Sequence, residues 1–458
     1  MREKLYGLQS RLKKKSDHAT RILVLFFALV VGLGTLLLML PAASRSGESC
    51  GWMTALFTAT STSCVTGLSL VDTYSQWSPF GQVVLLVLIQ VGGLGYMTFV
   101  SVFYFMLRRK IGLRERLIIQ QAMSLNELDG VVKLVKLMVG GTFLVEGVGA
   151  LILSCRFAME YPLGQAVWMG VFHSISAYCN AGFDIVGFRS PGSSLMTYGT
   201  DPVILLTASA LVILGGLGFF VWNDLLMHRK NRKKLSVHTK LVLIITAVLL
   251  FGGTVCIALL EWNNPATIGN MSLPDKLLAA FFQSMTTRTA GFAALDQGAL
   301  TGGSKLISIA LMFVGGSSGS TAGGIKTVTV GLVLMQAVSS LRSRRDVTVF
   351  KRRISEEQIR SATAITVLVV FLGTAGGVIL SAVNGLPLGD CLYESVSAIC
   401  TVGLSTGITA GLTTLSKLLL IVFMFFGRVG IMTIGFAFMT KTPPENVICR
   451  PETSVLIG

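Results

Sequence analysis

Eight stretches apolar and long enough to cross a bilayer follow one another along the chain, at about residues 22–41, 81–107, 131–155, 202–227, 239–260, 304–338, 361–383 and 416–440. A helical crossing takes roughly 20 mostly apolar residues, so little chain is left for anything but membrane. Of the 458 residues, 52% are hydrophobic and 13% charged, far more apolar than a soluble core of this length needs. The expected class is an all-α membrane protein without a soluble domain. Basic residues 11–15 ahead of the first run resemble the head of a secretory signal. The length of that run, the lack of a small-residue cleavage site after Pro41 and the seven further stretches argue against that reading.

Placement decides the meaning of the net charge of +16, from 38 Lys+Arg against 22 Asp+Glu. Basic clusters at 2–21, 108–116, 229–240 and 342–360 are each separated by two apolar stretches, the positive-inside pattern. It predicts a multi-pass protein of the cell membrane with both termini cytoplasmic. No folded domain is left to present a basic face to nucleic acid. The eight Cys include no CxxC and no metal spacing, and read as small apolar fillers.

Between paired stretches lie segments too short and polar to cross, and four of them align. Residues 57–68 read FTATSTSCVTGL, 172–183 FHSISAYCNAGF and 393–404 YESVSAICTVGL; 282–292, FQSMTTRTAGF, is one residue shorter. Each unit is therefore an apolar helix, a short amphipathic helix rich in Ser and Thr, a turn ending on Gly, and a second apolar helix. All four segments lie on one side, so the units are parallel and suit a ring around a hole, unlike the inverted repeats of many secondary transporters.

A loop that dips into a bilayer survives only where protein or a watery pathway covers its backbone. A helix ending at mid-membrane aims about half a negative charge at its end, so four converging ends favour a dehydrated cation. Beyond them Val65-Thr66-Gly67, Asn180-Ala181-Gly182, Thr289-Ala290-Gly291 and Thr401-Val402-Gly403 are expected to run extended. Gly turns a carbonyl towards the axis at little cost, and rings of carbonyls replace the hydration shell of potassium. A single such Gly would be an ordinary helix C-cap; four in register, each between two apolar stretches, point to a shared role. Leu68, Phe183, Phe292 and Leu404 should wedge the loops against the helices. Cys64, Cys179 and Cys400 read as packing behind them, and His173 as a satisfied polar side chain of its short helix.

These segments resemble the Trk/Ktr/HKT superfamily of potassium transporters, and within it the KtrB-type membrane subunits, over nearly the whole chain. The resemblance implies eight transmembrane helices with four re-entrant pore loops in pseudo-fourfold arrangement. Its division is a basic cytoplasmic tail 1–21, units at 22–115, 116–235, 236–350 and 351–440, and a C-terminal tail 441–458 that tucks into a dimer interface. It further implies a homodimer in the lipid bilayer, a cytoplasmic nucleotide-binding regulatory ring of RCK type (KtrA-like), potassium as substrate, no cofactor in this chain, and sodium as an open question of stimulation.

Two more segments bear on gating. The sixth stretch contains Gly315-Gly316-Ser317-Ser318-Gly319-Ser320-Thr321-Ala322-Gly323-Gly324-Ile325-Lys326-Thr327. Each Gly costs a helix roughly 1 kcal/mol relative to Ala, so this run should unwind beside a watery cavity; the family reading is a gating loop below the filter. It lacks the Gly-Lys-Ser/Thr ending of a phosphate-binding loop. Arg428 sits inside the last stretch, where a charge costs on the order of 3 kcal/mol. The resemblance implies that it projects into the pore against the gating loop, with Lys326 in a similar role or merely solvated. Arg288, just before the third tetrapeptide, reads as an anchor of its short helix, and Glu146, also inside an apolar stretch, has no evident partner. No convergent catalytic set is present, so a transporter is expected rather than an enzyme. The rival is a sodium-selective or sodium-coupled symporter on the same fold.

Overall fold

Long and broken helices alternate along the chain. The structure, a computed structural model, describes residues 2–106, 131–229, 231, 234–344 and 346–430, with side chains from residue 21 onward apart from 96–106 and 131–136. The basic cluster at 108–116 and the C-terminal tail 441–458 lie outside the described residues, as does the end of the last apolar stretch.

The first helix of each unit is continuous: α1 Arg2–Met39, α5 Val131–Phe157, α9 Val237–Glu261 and α13 Glu356–Asn384. None contains Pro, and Leu, Ala and Val dominate their interiors, so nothing interrupts them. In these, segments Arg21–Met39, Leu137–Phe157, Val237–Glu261 and Glu356–Asn384 are long and apolar enough to cross a membrane. Their outer faces carry exposed Leu25, Leu144, Phe251 and Phe371, as a surface against hydrocarbon requires.

The short helices follow as α2 Trp52–Ser63, α6 Leu163–Tyr178, α10 Leu273–Thr286 and α14 Leu388–Ile399. Pro162 and Pro387 start two of them, and the Ser272 hydroxyl caps a third by accepting from Asp275 N. Their leading aromatics Phe57, Phe172, Phe282 and Tyr393 are fully buried. A single turn, α3 Thr73–Gln76, capped by Asp72, precedes the second helix of unit one.

The second helices of units one and two are broken where hydropathy suggests continuous spans, and the sixth stretch is interrupted as its Gly-rich run suggests. The helix α4 Pro79–Met106 kinks at Gly95, and α7 Pro202–Leu217 meets α8 Phe219–Met227 at 89°. Further on, α11 Gly302–Met312 is separated from α12 Thr327–Leu341, and α15 Thr414–Val429 ends at Gly430. If the α7–α8 pair is one span, five helices or pairs among the described residues are long and apolar enough to cross. A two-stranded hairpin, β1 Thr348–Val349 with β2 Arg352–Arg353, links units three and four.

Each first helix packs on its own unit's short helix: α1 on α2, α5 on α6, α9 on α10 and α13 on α14. Each second helix also packs on the short helix of the next unit: α4 on α6, α7 on α10, α11 on α14, and α15 back on α2. The last contact closes the four units into a ring.

Candidate functional site

The short helices end in one way. In units one, two and four the residue after the cap, Val65, Asn180 or Thr401, has φ of 54, 59 or 51°. Its N–H bonds back to Thr62, Ala177 or Ala398, and the next N–H reaches Ser61 O at 2.8 Å, Ser176 O at 2.7 Å or Ser397 O at 2.8 Å. This pair of bonds is a Schellman cap. Unit three, one residue shorter, closes differently, with Ala290 N to Thr286 O at 3.0 Å and Thr289 at φ 65°. The left-handed cap residue is therefore the first of each tetrapeptide. Gly67, Gly182, Gly291 and Gly403 take a second positive φ of 102, 68, 79 and 93°. The segments are thus not extended throughout: two left-handed residues separated by one turn the chain twice. Leu68, Phe183, Phe292 and Leu404 are buried against the helices, as the sequence suggests.

The four glycines meet around one axis. A Cβ on Gly67 would lie 2.7 Å from Ala181 O, one on Gly182 2.8 Å from Ala290 O, and one on Gly291 2.8 Å from Val402 O; one on Gly403 would strike Thr66 O. Unit one thus faces two, two faces three, three faces four, and four faces one. Any side chain there would collide with a neighbouring unit's carbonyl. Around this ring the side-chain oxygens Thr66 Oγ1, Asn180 Oδ1 and Thr401 Oγ1 are buried with no hydrogen-bond partner, and buried oxygens of that kind suit a cation. Asn180 Nδ2 donates to Thr289 Oγ1 at 3.2 Å.

All four glycines open into one cavity of about 400 Å³, lined also by Asp72, Asp184 and Asp296 and, among the described residues, by no Lys or Arg. Asp72 accepts from Ser75 N and Gly192 N, and Asp184 from Val186 N. Burial and the neighbouring Asp72 push the Asp184 carboxyl up to about 6.

On the other side of the ring the second helices of units one to three are interrupted, and that of unit four ends at Gly430, the last described residue. Gly92, Gly215 and Gly427 lie directly against the last carbonyl of a short helix, from Ser63, Tyr178 and Ile399 respectively. Three residues after each comes a left-handed Gly, namely Gly95, Gly218 and Gly430. A helix that stops leaves its last carbonyls without partners. Those of α7 are met by Trp222 Nε1 on Leu214 O (3.0 Å), Thr321 N on Gly215 O (3.3 Å), Ser317 N on Gly216 O (2.9 Å) and the Ser317 hydroxyl on Leu217 O. The Gly-rich segment between α11 and α12 is therefore stitched to the break in unit two. It is pinned internally as well, by Gly315 N on Ile325 O at 2.9 Å and Ser320 Oγ on Ser317 O at 2.7 Å. The segment passes below the ring, with Gly323 against the Thr401 side chain and Gly324 against Cys400 O.

Arg428 reaches this segment. Its guanidinium donates to Thr321 O, to Gly92 O and, at 3.1 Å, to Gly93 O, joining units one and four to the Gly-rich segment. Lys326 turns back on Ala322 O at 2.8 Å, and Ser318 and Gly319 sit beside Gly218 and Phe220. Arg288 occupies the place held by Cys in the other copies. Its guanidinium makes a 3.3 Å bond to Thr246 Oγ1 and a long 3.5 Å contact to Gly315 O, so it anchors the third short helix to α9 and to the segment's start.

The sequence reading missed several residues. Ser61, Ser176 and Ser397, fifth in their segments, accept through Oγ from Gly67 N, Phe183 N and Gly403 N and thereby brace the tetrapeptides. The repeated GGLG at 92–95 and 215–218, with GRVG at 427–430, was the available signal for the breaks. Glu146 has a partner after all, Gln90 Nε2 at 3.2 Å. His173 is satisfied, with Nδ1 2.7 Å from Met169 O and Nε2 accepting from Ile185 N at 3.4 Å, which fixes the neutral tautomer.

The chain is 39% identical to the Ktr system potassium uptake protein B of Bacillus subtilis, over 96% of both chains. It is 38% identical to the protein of that name from Vibrio alginolyticus, over 99% of this chain and 98% of the relative. Against the potassium/sodium uptake protein NtpJ of Enterococcus hirae it is 35% identical, covering 98% and 99%. Its fold is that of the crystal structure of the potassium transporter TrkH from Vibrio parahaemolyticus, with a TM-score of 0.72 at 18% identity over 91% of this chain and 84% of that one. The family described as TrkH, cation transport protein, matches residues 4–449, and the chain belongs to that family.

Proposed function

We propose that this chain is the potassium-selective, channel-like membrane subunit of a Ktr-type uptake system. The observation that carries this reading is the closed ring in which each unit's Gly faces the next unit's carbonyl. Successive carbonyls around one axis offer potassium the oxygens it loses with its water, and the acidic mouth concentrates cations before entry. The four tetrapeptides act as the filter. The segment 315–327 with Lys326 and Arg428 acts as the gate beneath it, closed in the arrangement described.

On this reading the chain crosses the cell membrane eight times in four units bounded as the sequence suggests, with four re-entrant loops and cytoplasmic termini. Two copies associate, and a cytoplasmic nucleotide-binding ring of RCK type moves the gate. The relatives named for a Ktr system support the partner, since a system implies a further component. Sodium-coupled or sodium-selective transport is the second reading, favoured by the potassium/sodium name of the Enterococcus hirae relative.

The test is ion flux into liposomes holding the purified chain, comparing potassium, rubidium and sodium at fixed membrane potential. Potential-driven potassium and rubidium flux with little sodium is expected, and Gly67→Ser or Gly403→Ser should erode that preference. Sodium-dominated flux in the wild type, or unchanged selectivity in both variants, would count against the filter assignment.

A further inference from the structure

Unit two contains a side chain that neither the ring nor the gate uses. Glu146 lies mid-helix in α5 and is 4% exposed. Both its carboxyl oxygens stand 3.2 Å from the single Nε2 of Gln90 on α4, and Cys179 Sγ, at the root of the second tetrapeptide, is 3.8 Å from Oε1 and 3.6 Å from Gln90 Oε1. Among the described residues it forms no ion pair.

The repeat shows that packing does not ask for a carboxyl here. The third residue of a pore segment donates to a carbonyl of its unit's first helix: Ser174 to Glu146 O at 2.6 Å, Ser284 to Leu250 O at 2.9 Å, and Ser395 to Gly373 O at 2.8 Å. Leu250 and Gly373 therefore stand where Glu146 stands. An ionised carboxylate buried without a cation costs several kcal/mol, and one shared amide with a thiol, a weak donor, offsets little of it. A neutral acid fits this setting.

We propose that Glu146 carries a proton in the folded protein and, as the neutral acid joining Gln90 to Cys179, positions the second copy of the ring, so that cation selectivity depends on that proton. This rests on the transport reading above. The groups around it leave the acid as the one that titrates: Gln90 from α4 is uncharged, α7 carries no ionisable residue, Tyr178 of α6 accepts from Thr142 and His173 is held by Met169 O and Ile185 N, Cys179 after α6 is a weak thiol donor, Asp224 of α8 accepts from Ser236 and Thr239, and Arg428 from α15 is committed to carbonyls. Loss of the proton to water would leave a carboxylate that draws Cys179 and Arg428 towards it and pulls Asn180-Ala181-Gly182 out of register.

The experiment compares the wild type, Glu146→Gln and Glu146→Leu as full chains in liposomes, reading the potassium-to-sodium flux ratio across pH, with infrared spectra of the same samples. The wild-type ratio should fall reversibly at alkaline pH. Glu146→Gln should keep the neutral-pH ratio and lose the alkaline fall, whereas Glu146→Leu, which strands Gln90, should lower the ratio at every pH. The carbonyl band of a buried protonated acid should appear in the wild-type-minus-Glu146→Gln difference spectrum, in which the contributions of Asp184 and the buried Glu394 cancel. An alkaline fall that persists in Glu146→Gln, or the absence of that band, overturns the proposal. A wild type with the band but no potassium flux would instead overturn the transport reading and support the proton assignment.

Discussion

Val65, Thr289 and Thr401 hold a left-handed backbone that β-branched residues avoid, at about 1–3 kcal/mol each. Val65 and Thr401 keep it because the cap bonds and the Ser at position five fix the turn from both sides, and Thr289 because Thr286 accepts from Ala290 N through its carbonyl and donates its hydroxyl to Phe292 O. That turn sets the carbonyls of Thr66, Ala181, Ala290 and Val402 against the glycines of the neighbouring units. At the mouth, the Asp184 carboxyl titrates near the physiological range because it is partly buried beside Asp72. A carboxyl whose value is raised is charged above that value and neutral below it. Inward potassium flux at low external potassium should therefore fall as external pH drops through about 6, and Asp184→Asn should flatten that part of the profile. The same shift makes protonation favour the folded state, so flux rather than stability is the property to measure. An identical acid profile in Asp184→Asn would assign the response elsewhere.

Among the elements, the broken second helices decide how the Gly-rich segment is held. Ending α7 at Gly218 frees carbonyls that the Gly-rich segment then satisfies, and the kink in α4 frees Gly92 O and Gly93 O for Arg428. The segment is thus held largely by hydrogen bonds it exchanges with other units, with Ile325 as its apolar anchor, an arrangement consistent with the gating role proposed for it. A hydrogen bond to a charged group is worth about 1.5–3 kcal/mol, enough to shift a two-state segment roughly tenfold or more. Arg428→Gln should accordingly raise potassium flux at fixed potential by about that factor. Unchanged flux in a folded variant would show that Arg428 does not latch the segment. Removing 317–323 is a poorer test, because it would also strand the carbonyls of Gly215, Gly216 and Leu217.

At the scale of the molecule the closure of α15 onto α2 makes the four units interdependent. A cation seated among carbonyls from all four binds only the closed ring, and at 100 times its dissociation constant such a ligand adds about 2.7 kcal/mol of stability. The purified chain in detergent should unfold at a higher temperature in potassium or rubidium than in lithium at equal ionic strength. Equal midpoints in the three salts would argue that no selective site spans the units.

The four-unit plan, the converging tetrapeptides and the unwinding of 315–327 were legible in the sequence because each is a local pattern: apolar length, an aligned motif with Gly, and a run of poor helix formers. The partners of Arg428, Arg288 and Glu146 were not, since each lies on another helix tens or hundreds of positions away and nothing local specifies it. The breaks at Gly95 and Gly218 and the end at Gly430 were half-legible. GGLG recurs plainly, yet Gly inside an apolar stretch is equally consistent with close helix packing, and only the neighbouring short helix, whose last carbonyl occupies the space beside Gly92, Gly215 and Gly427, separates the two. The sequence alone determined what each unit is, because hydropathy and backbone preference act along the chain. Which unit faces which, and what lies beneath the ring, was decided by tertiary structure, because freed carbonyls and buried charges are satisfied by whatever the closed ring brings to them.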